Sequence, residues 1–346
     1  MNYNIEVRRC KSCILPEVPG HVELDSNGIC NICNGDKRTI NKENNSKKEC
    51  NLDYFKQKIL FYDKKNSKYN CVVSVSGGKD SIMTLYVAKK ILNLNVLAVF
   101  IDNGFALPEM YDNLNNATDI LNVDMMIFKT SDMIDIFKKC IESKKDIYYC
   151  RVCHTLLEYY IKSICVQNNI NVILGGYTKG QQYIKNSELF WVYEKSDYNI
   201  VELFKNDKKF SELSAIFQSP IKYMTEKFGN IVQLSPFKYM TWNENEILNI
   251  ITEELKFKIP KNSWPDKSSN CMFNYVSQLK TMKQFGYAQH ETELSDLVRE
   301  GELSRQRALE IIRTPIEEEN LKKPLLKLGL CIDDIIRRKN EYKKSN

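Results

Sequence analysis

Short apolar runs rich in β-branched residues alternate, from about residue 70 onward, with longer stretches whose apolar positions recur at helical spacing. The runs predict buried strands, and the stretches between them predict helices. Strands are predicted at residues 71–75, 96–101, 125–128 and 172–174. This alternation predicts an α/β fold with a doubly wound parallel sheet of about four or five strands.

The chain outside the predicted sheet changes composition from region to region. Aromatic and basic residues interleave over 191–228, which we interpret as helical core packing in preference to a base-stacking surface. Helices are predicted in the last third at 276–285, 291–299 and 304–313. We therefore expect a zinc ribbon at 1–36, a polar linker and helix at 37–69, the α/β domain at 70–240 and a helical C-terminal region at 241–346.

The first predicted strand leads into a glycine loop, and a helix follows because the apolar positions after residue 81 have helical spacing. Two glycines let the backbone wrap closely around an oxyanion, and the free N–H groups of the helix start point at it. Lys79 adds a positive charge, and Asp80 is a candidate Mg²⁺ ligand. The expected anion site consists of Ser76, Gly77, Gly78, Lys79, Asp80 and Ser81.

Other candidate ligand contacts follow the strands, because an open parallel sheet binds ligands outside the carboxyl ends of its strands. Asp102 is expected to meet a nucleoside or, equally, to cap the next turn. Gly175 and Gly176 are expected to let the backbone approach the nucleotide from the opposite side. Further candidates, which are equally interpreted as surface or structural residues, are Gln182, Tyr183 and His290.

Two C-x-x-C pairs near the N-terminus are separated by sixteen residues. The segment between them is rich in turn residues and cannot build a hydrophobic core, so a metal must supply its folding energy. Four thiolates at this spacing can close a tetrahedron around Zn²⁺, whereas a redox role is a weaker alternative. The predicted zinc ligands are Cys10, Cys13, Cys30 and Cys33.

A second cysteine set combines Cys150 and Cys153 with the isolated Cys271. Three such thiols can hold three corners of a 4Fe–4S cluster and leave one iron open. The same three can hold zinc, with His154 or water as the fourth ligand, or carry a persulfide during turnover. In the structural alternative, the thiols of Cys150 and Cys153 pack at a helix start, and Cys271 is unrelated to them.

Charge and hydropathy limit the classes of function. The chain has 346 residues, with 50 Lys and Arg against 44 Asp and Glu, and a net charge of +6 neither requires nor excludes a nucleic-acid partner. No apolar run approaches a membrane span and the start lacks a signal-peptide pattern, so we expect a cytoplasmic protein with no membrane partner. Twelve cysteines, six of them in C-x-x-C pairs, favour metal over disulfides in a reducing compartment.

The loop SGGKDS resembles the pyrophosphate loop of the adenine nucleotide α-hydrolase, or PP-loop, superfamily, and its spacing differs from that of a Walker-type loop. The resemblance implies that ATP and Mg²⁺ bind, that pyrophosphate leaves, and that AMP passes to a substrate oxygen. A nitrogen or sulfur nucleophile then displaces the AMP. Lys79 and Asp80 would be catalytic. A module that only senses ATP is disfavoured by the intact Lys79, Asp80 and Ser81.

The segments CKSCILPEVPG, GICNIC and CRVCH, with residues 270–312, extend the similarity over most of the chain. Together they resemble the N-acetyl sugar amidotransferase family of surface-sugar biosynthesis. That resemblance implies an amino-sugar substrate whose amide oxygen is adenylated and replaced by ammonia from a separate glutaminase. The chain has no convincing glutaminase constellation of its own.

The same combination of ribbon, loop, C-x-x-C and one later cysteine is also similar to tRNA two-thiouridine synthases. That resemblance implies a 4Fe–4S cluster on Cys150, Cys153 and Cys271, with Cys150 and Cys153 also catalytic. Sulfur from a donor protein would replace the oxygen, to make a thioamide or a thiolated tRNA.

Overall fold

The structure, a computed structural model, describes residues 7–35, 51–63, 67–177, 187–261, 263, 270–286, 289–313 and 315–336. Among these residues, no helix is both long and apolar enough to cross a membrane. Gln182, Tyr183 and Cys50 lie outside the described residues.

Five parallel strands form one sheet in the order β3-β2-β1-β4-β5, which confirms the predicted fold class. The strands are β1 Cys71–Ser74, β2 Val96–Asp102, β3 Asp124–Lys129, β4 Val172–Gly175 and β5 Val232–Leu234. In the centre of the sheet Val73 lies beside Ala98 on one side and Leu174 on the other. The central strands β1, β2 and β4 are apolar on both faces because helices cover both faces of the sheet.

Ten α-helices of the described residues precede residue 256, and the first of them lies in the N-terminal ribbon. They are α1 Asn31–Gly35, α2 Leu52–Tyr62, α3 Lys79–Tyr86, α4 Pro108–Leu121, α5 Asp132–Glu142, α6 Tyr149–Gln167, α7 Ser187–Phe204, α8 Ser211–Gln218, α9 Pro220–Phe228 and α10 Glu244–Leu255. Val73 packs with α3, α4 and α10 on one face, whereas Val72 packs with α6 on the other. The core on both faces holds the carboxyl ends of β1 and β2 in fixed positions.

The last five helices are α11 Asn274–Phe285, α12 Gln289–Glu300, α13 Arg305–Arg313, α14 Glu318–Lys327 and α15 Asp333–Ile336. They join the N-terminal ribbon to the sheet. The guanidinium of Arg305 donates to the carbonyls of Cys10 and Cys13 at 2.7–3.1 Å, and Arg9 pairs with the buried Glu291 at 2.7 Å.

The C-x-x-C of residues 150–153 lies within α6, at the helix start that the sequence analysis gives as the structural alternative. Cys150, Cys153 and His154 therefore occupy the first two turns of this helix. The stretch 191–228 forms the helices α7 to α9, whose buried aromatic side chains confirm the core-packing interpretation.

Candidate functional site

The glycine loop lies between β1 and α3, as the sequence predicts. Two serine hydroxyls fold it back on itself: the N–H of Ser76 donates to Ser81 Oγ at 3.1 Å, and Ser81 Oγ donates to the Gly78 carbonyl at 2.9 Å. Ser76 Oγ also accepts from the Gly78 N–H at 3.4 Å. These contacts hold the loop at the start of α3, where unpaired N–H groups favour an anion.

Two glycines allow the backbone to pass where a side chain would collide. Gly77 has a φ of +80°, and a Cβ there would approach the Met110 backbone to 2.6 Å. A Cβ on Gly176 would lie 2.7 Å from the Asp80 carbonyl carbon, so the chain after β4 touches the first turn of α3. The structure thus shows packing roles for these glycines, whereas their contact with a nucleotide, like that of Gly175, stays a prediction.

Lys79 is the central charge of the loop, and only 6% of it is exposed. Its Nζ lies 3.3 Å from Asp80 and 3.5 Å from Glu244. Burial alone disfavours the charged amine, but these two carboxylates outweigh it and raise the pKa of Lys79. The loop therefore carries a cation that stays charged at neutral pH.

Trp242 completes this part of the site, and the sequence analysis did not identify it. Its Nε1 donates to Asp80 Oδ1 at 2.8 Å, and its ring lies 5.8 Å from the Nζ of Lys79. Both oxygens of Asp80 are thus engaged by protein groups, and its role as a Mg²⁺ ligand stays a prediction. Glu244, at the start of α10, had only a helix-capping signal in the sequence.

Asp102 ends β2 and is almost fully buried. Its Oδ1 accepts from the Gly104 N–H at 2.8 Å, and its Oδ2 lies 3.5 Å from the Nζ of Lys129. The structure therefore shows the turn-capping role for Asp102. A nucleoside contact by its carboxylate stays a prediction.

A short segment at residues 270–272 reaches the glycine loop from far along the chain. It runs antiparallel to residues 105–107, with a bridge between Ala106 and Cys271. Asn270 Nδ2 donates to the Ser76 carbonyl at 3.5 Å, and its side chain lies against Gly78. Cys271 follows directly, so this segment joins the loop to a second group of side chains.

That second group is the three-cysteine site, formed by Cys150, Cys153 and Cys271. Each of these residues is partly exposed, and Cys271 acts electrostatically on both Cys150 and Cys153. Burial among protein atoms raises the pKa of Cys150 to about 12 and that of Cys271 to about 11. Without a metal, these groups are neutral thiols near pH 7.

The four N-terminal cysteines form the four-cysteine site, and all of them are buried. The sulfurs of Cys10 and Cys33 lie 3.9 Å apart, and those of Cys13 and Cys30 lie 3.8 Å apart. A tetrahedral Zn²⁺ with Zn–S bonds of about 2.3 Å holds its sulfurs roughly 3.8 Å apart. The four-cysteine site therefore fits one tetrahedral ion.

The three-cysteine site has a different spacing. Within the described part of the chain, the four-cysteine site is the only group of three or more potential ligands whose atoms all lie within 4.8 Å of one another. At least one pair among the sulfurs of Cys150, Cys153 and Cys271 is therefore more than 4.8 Å apart. Three thiols are the donor set of a 4Fe–4S cluster with one open iron, so the residues fit that group chemically.

Two histidines lie beside the three-cysteine site. His290 Nδ1 lies 3.3 Å from Glu293, and its Nε2 lies 3.2 Å from Asn274 Nδ2. His154 keeps an exposed surface, but the surrounding protein desolvates its imidazole and lowers its pKa. His290 has the contacts of a structural histidine, and its role in substrate binding stays a prediction.

Comparisons with known proteins agree with this architecture. The family model of the phosphoadenosine phosphosulfate reductase domain matches residues 70–254. An uncharacterized protein from Methanocaldococcus jannaschii is 26% identical over 277 residues, which cover 80% of this chain and 84% of that protein.

Three solved structures are also similar to the chain at low identity. The U34-tRNA thiolase from Methanococcus maripaludis with its 4Fe–4S cluster is 16% identical, with a TM-score of 0.36 and coverage of 88% of this chain and 89% of that one. The NH3-dependent NAD synthetase from Campylobacter jejuni is 13% identical, with a TM-score of 0.32 and coverage of 59% and 90%. The NMN synthetase from Francisella tularensis is 12% identical, with a TM-score of 0.38 and coverage of 74% and 95%.

Proposed function

Because this chain belongs to the phosphoadenosine phosphosulfate reductase domain family, and with it to the PP-loop superfamily, we propose that it splits ATP between the α- and β-phosphates. The observation that carries the proposal is the buried Lys79 at the strand-to-helix junction. It keeps its charge because Asp80 and Glu244 lie within 3.5 Å of it.

In the proposed first step, the loop holds the β,γ-pyrophosphate as the leaving group. N–H groups at the start of α3 and the hydroxyls of Ser76 and Ser81 would donate to its oxygens. Negative charge grows on pyrophosphate as the α–β bond breaks, and Lys79 offsets it. Mg²⁺ would supply further charge neutralisation when bound, with Asp80 as the candidate ligand. AMP passes to an oxygen of an amide-type group on the substrate.

In the proposed second step, nitrogen replaces that oxygen. This choice is supported by the resemblance of residues 270–312 and both C-x-x-C regions to N-acetyl sugar amidotransferases. Ammonia would attack the adenylated carbon, AMP would leave, and an acetamidino group would form on an amino sugar. A separate glutaminase would supply the ammonia.

A second candidate is replacement by sulfur, and the three-cysteine site favours it. This site lies beside the glycine loop through the adjacent Asn270 and Cys271. Burial raises the pKa of Cys150 and of Cys271, so without a metal neither thiol is a ready nucleophile. A 4Fe–4S cluster held by the three cysteines would leave one iron open for a sulfur atom from a donor protein. The product would be a thioamide or a thiolated tRNA.

Incubation of the full chain with ATP, Mg²⁺, ammonium and an N-acetylated amino sugar tests the first step. We expect AMP and pyrophosphate, and oxygen-18 in the acetamide group should appear in the AMP. Lys79→Met should abolish both signals, whereas Lys222→Met, which loses only an exposed pair with Glu226 on α9, should leave them unchanged. Formation of ADP and inorganic phosphate would contradict the proposed site of cleavage.

Replacing ammonium with sulfide, in protein reconstituted with iron, tests the identity of the incoming atom. Mass spectrometry of the product separates an amidine from a thioamide. Amidine formation by iron-free protein, together with no sulfur incorporation by reconstituted protein, would exclude the second candidate.

A further inference from the structure

Hydrogen-bond donors surround the sulfurs of the three-cysteine site. The side-chain amide of Asn103 donates to Cys153 Sγ at 3.4 Å and also to Cys271. Ser277 Oγ lies 3.1 Å from Cys150 Sγ. Each of the three sulfurs therefore has a polar side-chain partner.

The orientation of the Asn103 amide is fixed by the turn after β2. Its Oδ1 accepts from the Phe105 N–H at 3.0 Å, so its NH₂ group must face the sulfurs. Asp102, just before it, holds the same turn through the Gly104 N–H. An NH₂ group has two hydrogens, which matches the two sulfurs that it contacts.

Donors aimed at sulfur stabilise negative charge on it. Thiolates that bind iron carry such charge, and the charge increases when the cluster is reduced. Hydrogen bonds to the sulfurs and solvent exposure are among the features that set the reduction potential of an iron–sulfur cluster. Amide donors therefore favour the reduced form and shift the potential in the positive direction.

We propose that Asn103 is a positioning residue for an iron–sulfur centre on Cys150, Cys153 and Cys271, where its amide orients two ligands and raises the reduction potential. This inference rests on the sulfur candidate of the proposed function. The ligands fit such a centre because three thiols are its donor set and each sulfur has a polar side-chain partner. Asn103 stands at the end of β2, so the sheet itself fixes the position of the donor.

The test uses the full chain, reconstituted anaerobically with ferrous iron and sulfide. Asn103→Asp keeps the acceptor for the Phe105 N–H but loses the donor, and Asn103→Leu loses both without adding charge. Asn70→Leu is the matched control, because the Asn70 side chain likewise accepts from a backbone N–H, that of Asn95 at 2.8 Å, but it lies at the amino end of β1. Iron content, the visible spectrum and a dye-mediated redox titration are measured for each protein.

We expect wild type to bind iron with a charge-transfer band in the visible range. Both Asn103 variants should have a more negative reduction potential, and Asn70→Leu should match wild type. Ser277→Ala should shift the potential in the same direction, because it removes the partner of Cys150.

Equal potentials for wild type and both Asn103 variants would overturn the role of Asn103. A wild-type chain that takes up no iron would overturn it as well. In either case, pyrophosphate release by iron-free protein reports separately on the adenylation step. Failure of the inference on Asn103 is therefore distinguishable from failure of the proposed function.

Discussion

The two cysteine sites of this chain use the same ligand atom in opposite surroundings. In the four-cysteine site every sulfur is buried, and the closest pairs are 3.8 and 3.9 Å apart. In the three-cysteine site the residues are partly exposed, at least one pair of sulfurs is more than 4.8 Å apart, and the glycine loop is adjacent. A closed site of four ligands serves structure, whereas three ligands with an open side leave room for chemistry.

This difference teaches that C-x-x-C spacing alone does not define a site. The backbone around each cysteine pair decides which kind of site the pair can form. Cys10 and Cys30 lie in tight turns, where backbone N–H groups point at the sulfurs. Cys150 and Cys153 lie one helical turn apart on α6, so a third ligand has to come from a distant segment.

Removal of one ligand from each site should give the largest contrast. Cys30→Ser should lose the ribbon's metal and unfold residues 7–35, because a structural zinc supplies roughly 10–16 kcal/mol to modules with little core. Cys153→Ser should retain that metal and melt near the wild-type temperature. Metal content by mass spectrometry and thermal unfolding measure both effects. A Cys30→Ser protein with full metal and unchanged melting would contradict the structural role.

Thiol reactivity should separate the three-cysteine site from exposed thiols. In iron-free protein, burial raises the pKa of Cys150 from 9.0 to about 12. A pKa that is about three units higher lowers the thiolate fraction of Cys150 at pH 8 about a thousandfold. Alkylation of Cys150 should therefore be slow at pH 8 and accelerate as pH rises toward 12, whereas the exposed Cys331 should react first. Peptide mapping measures the rates, and rapid labelling of Cys150 at pH 8 would argue against this environment.

Replacement of Lys79 should impair the nucleotide step without affecting the metal of the ribbon. Lys79→Met should reduce AMP formation by about 100-fold or more, since it removes charge stabilisation in the transition state. The ribbon's metal content should not change. Trp242→Phe removes only the hydrogen bond to Asp80 and should have a smaller effect. Coupled detection of pyrophosphate gives the rates; wild-type turnover in Lys79→Met would remove the basis of the proposed function.

The smallest effect should come from the contact that docks the ribbon. Arg305→Met removes the hydrogen bonds to the carbonyls of Cys10 and Cys13 and should destabilise ribbon docking by about 1.5–3 kcal/mol. Arg307→Met is the control, because its pair with Glu310 is exposed and surface pairs contribute little. Hydrogen exchange of residues 7–35 measures both, and equal protection in the two variants would mean that the contact is dispensable.

The sequence was sufficient to predict the elements that have strong local signals. The first four strands and the glycine loop lie where apolar runs and the SGGKDS pattern predict them, and the PP-loop resemblance is confirmed by the family match. β5 was not located because it has three residues with the polar Gln233 in the middle. A run that short has no periodicity to distinguish it from a loop.

The side chains that surround the reactive groups could not be predicted, because their positions depend on tertiary structure. Trp242 meets Asp80 across 162 residues, and Ser277 meets Cys150 across 127. No local pattern marks such a partner. Helix α10 packs on the same face of the sheet as Val73, although the predicted α/β domain ends at residue 240, and the domain limits themselves stay predictions.

The contact between Arg305 and Cys13 spans 292 residues and has a consequence for biosynthesis. At translation rates of about 5–20 residues per second, the ribbon leaves the ribosome roughly 15–60 s before the arginine that docks it. During this interval its thiols emerge ahead of the helices that later enclose them. A metal bound in this interval would be held by the ribbon's own four sulfurs before Arg305 can reach the carbonyls of Cys10 and Cys13.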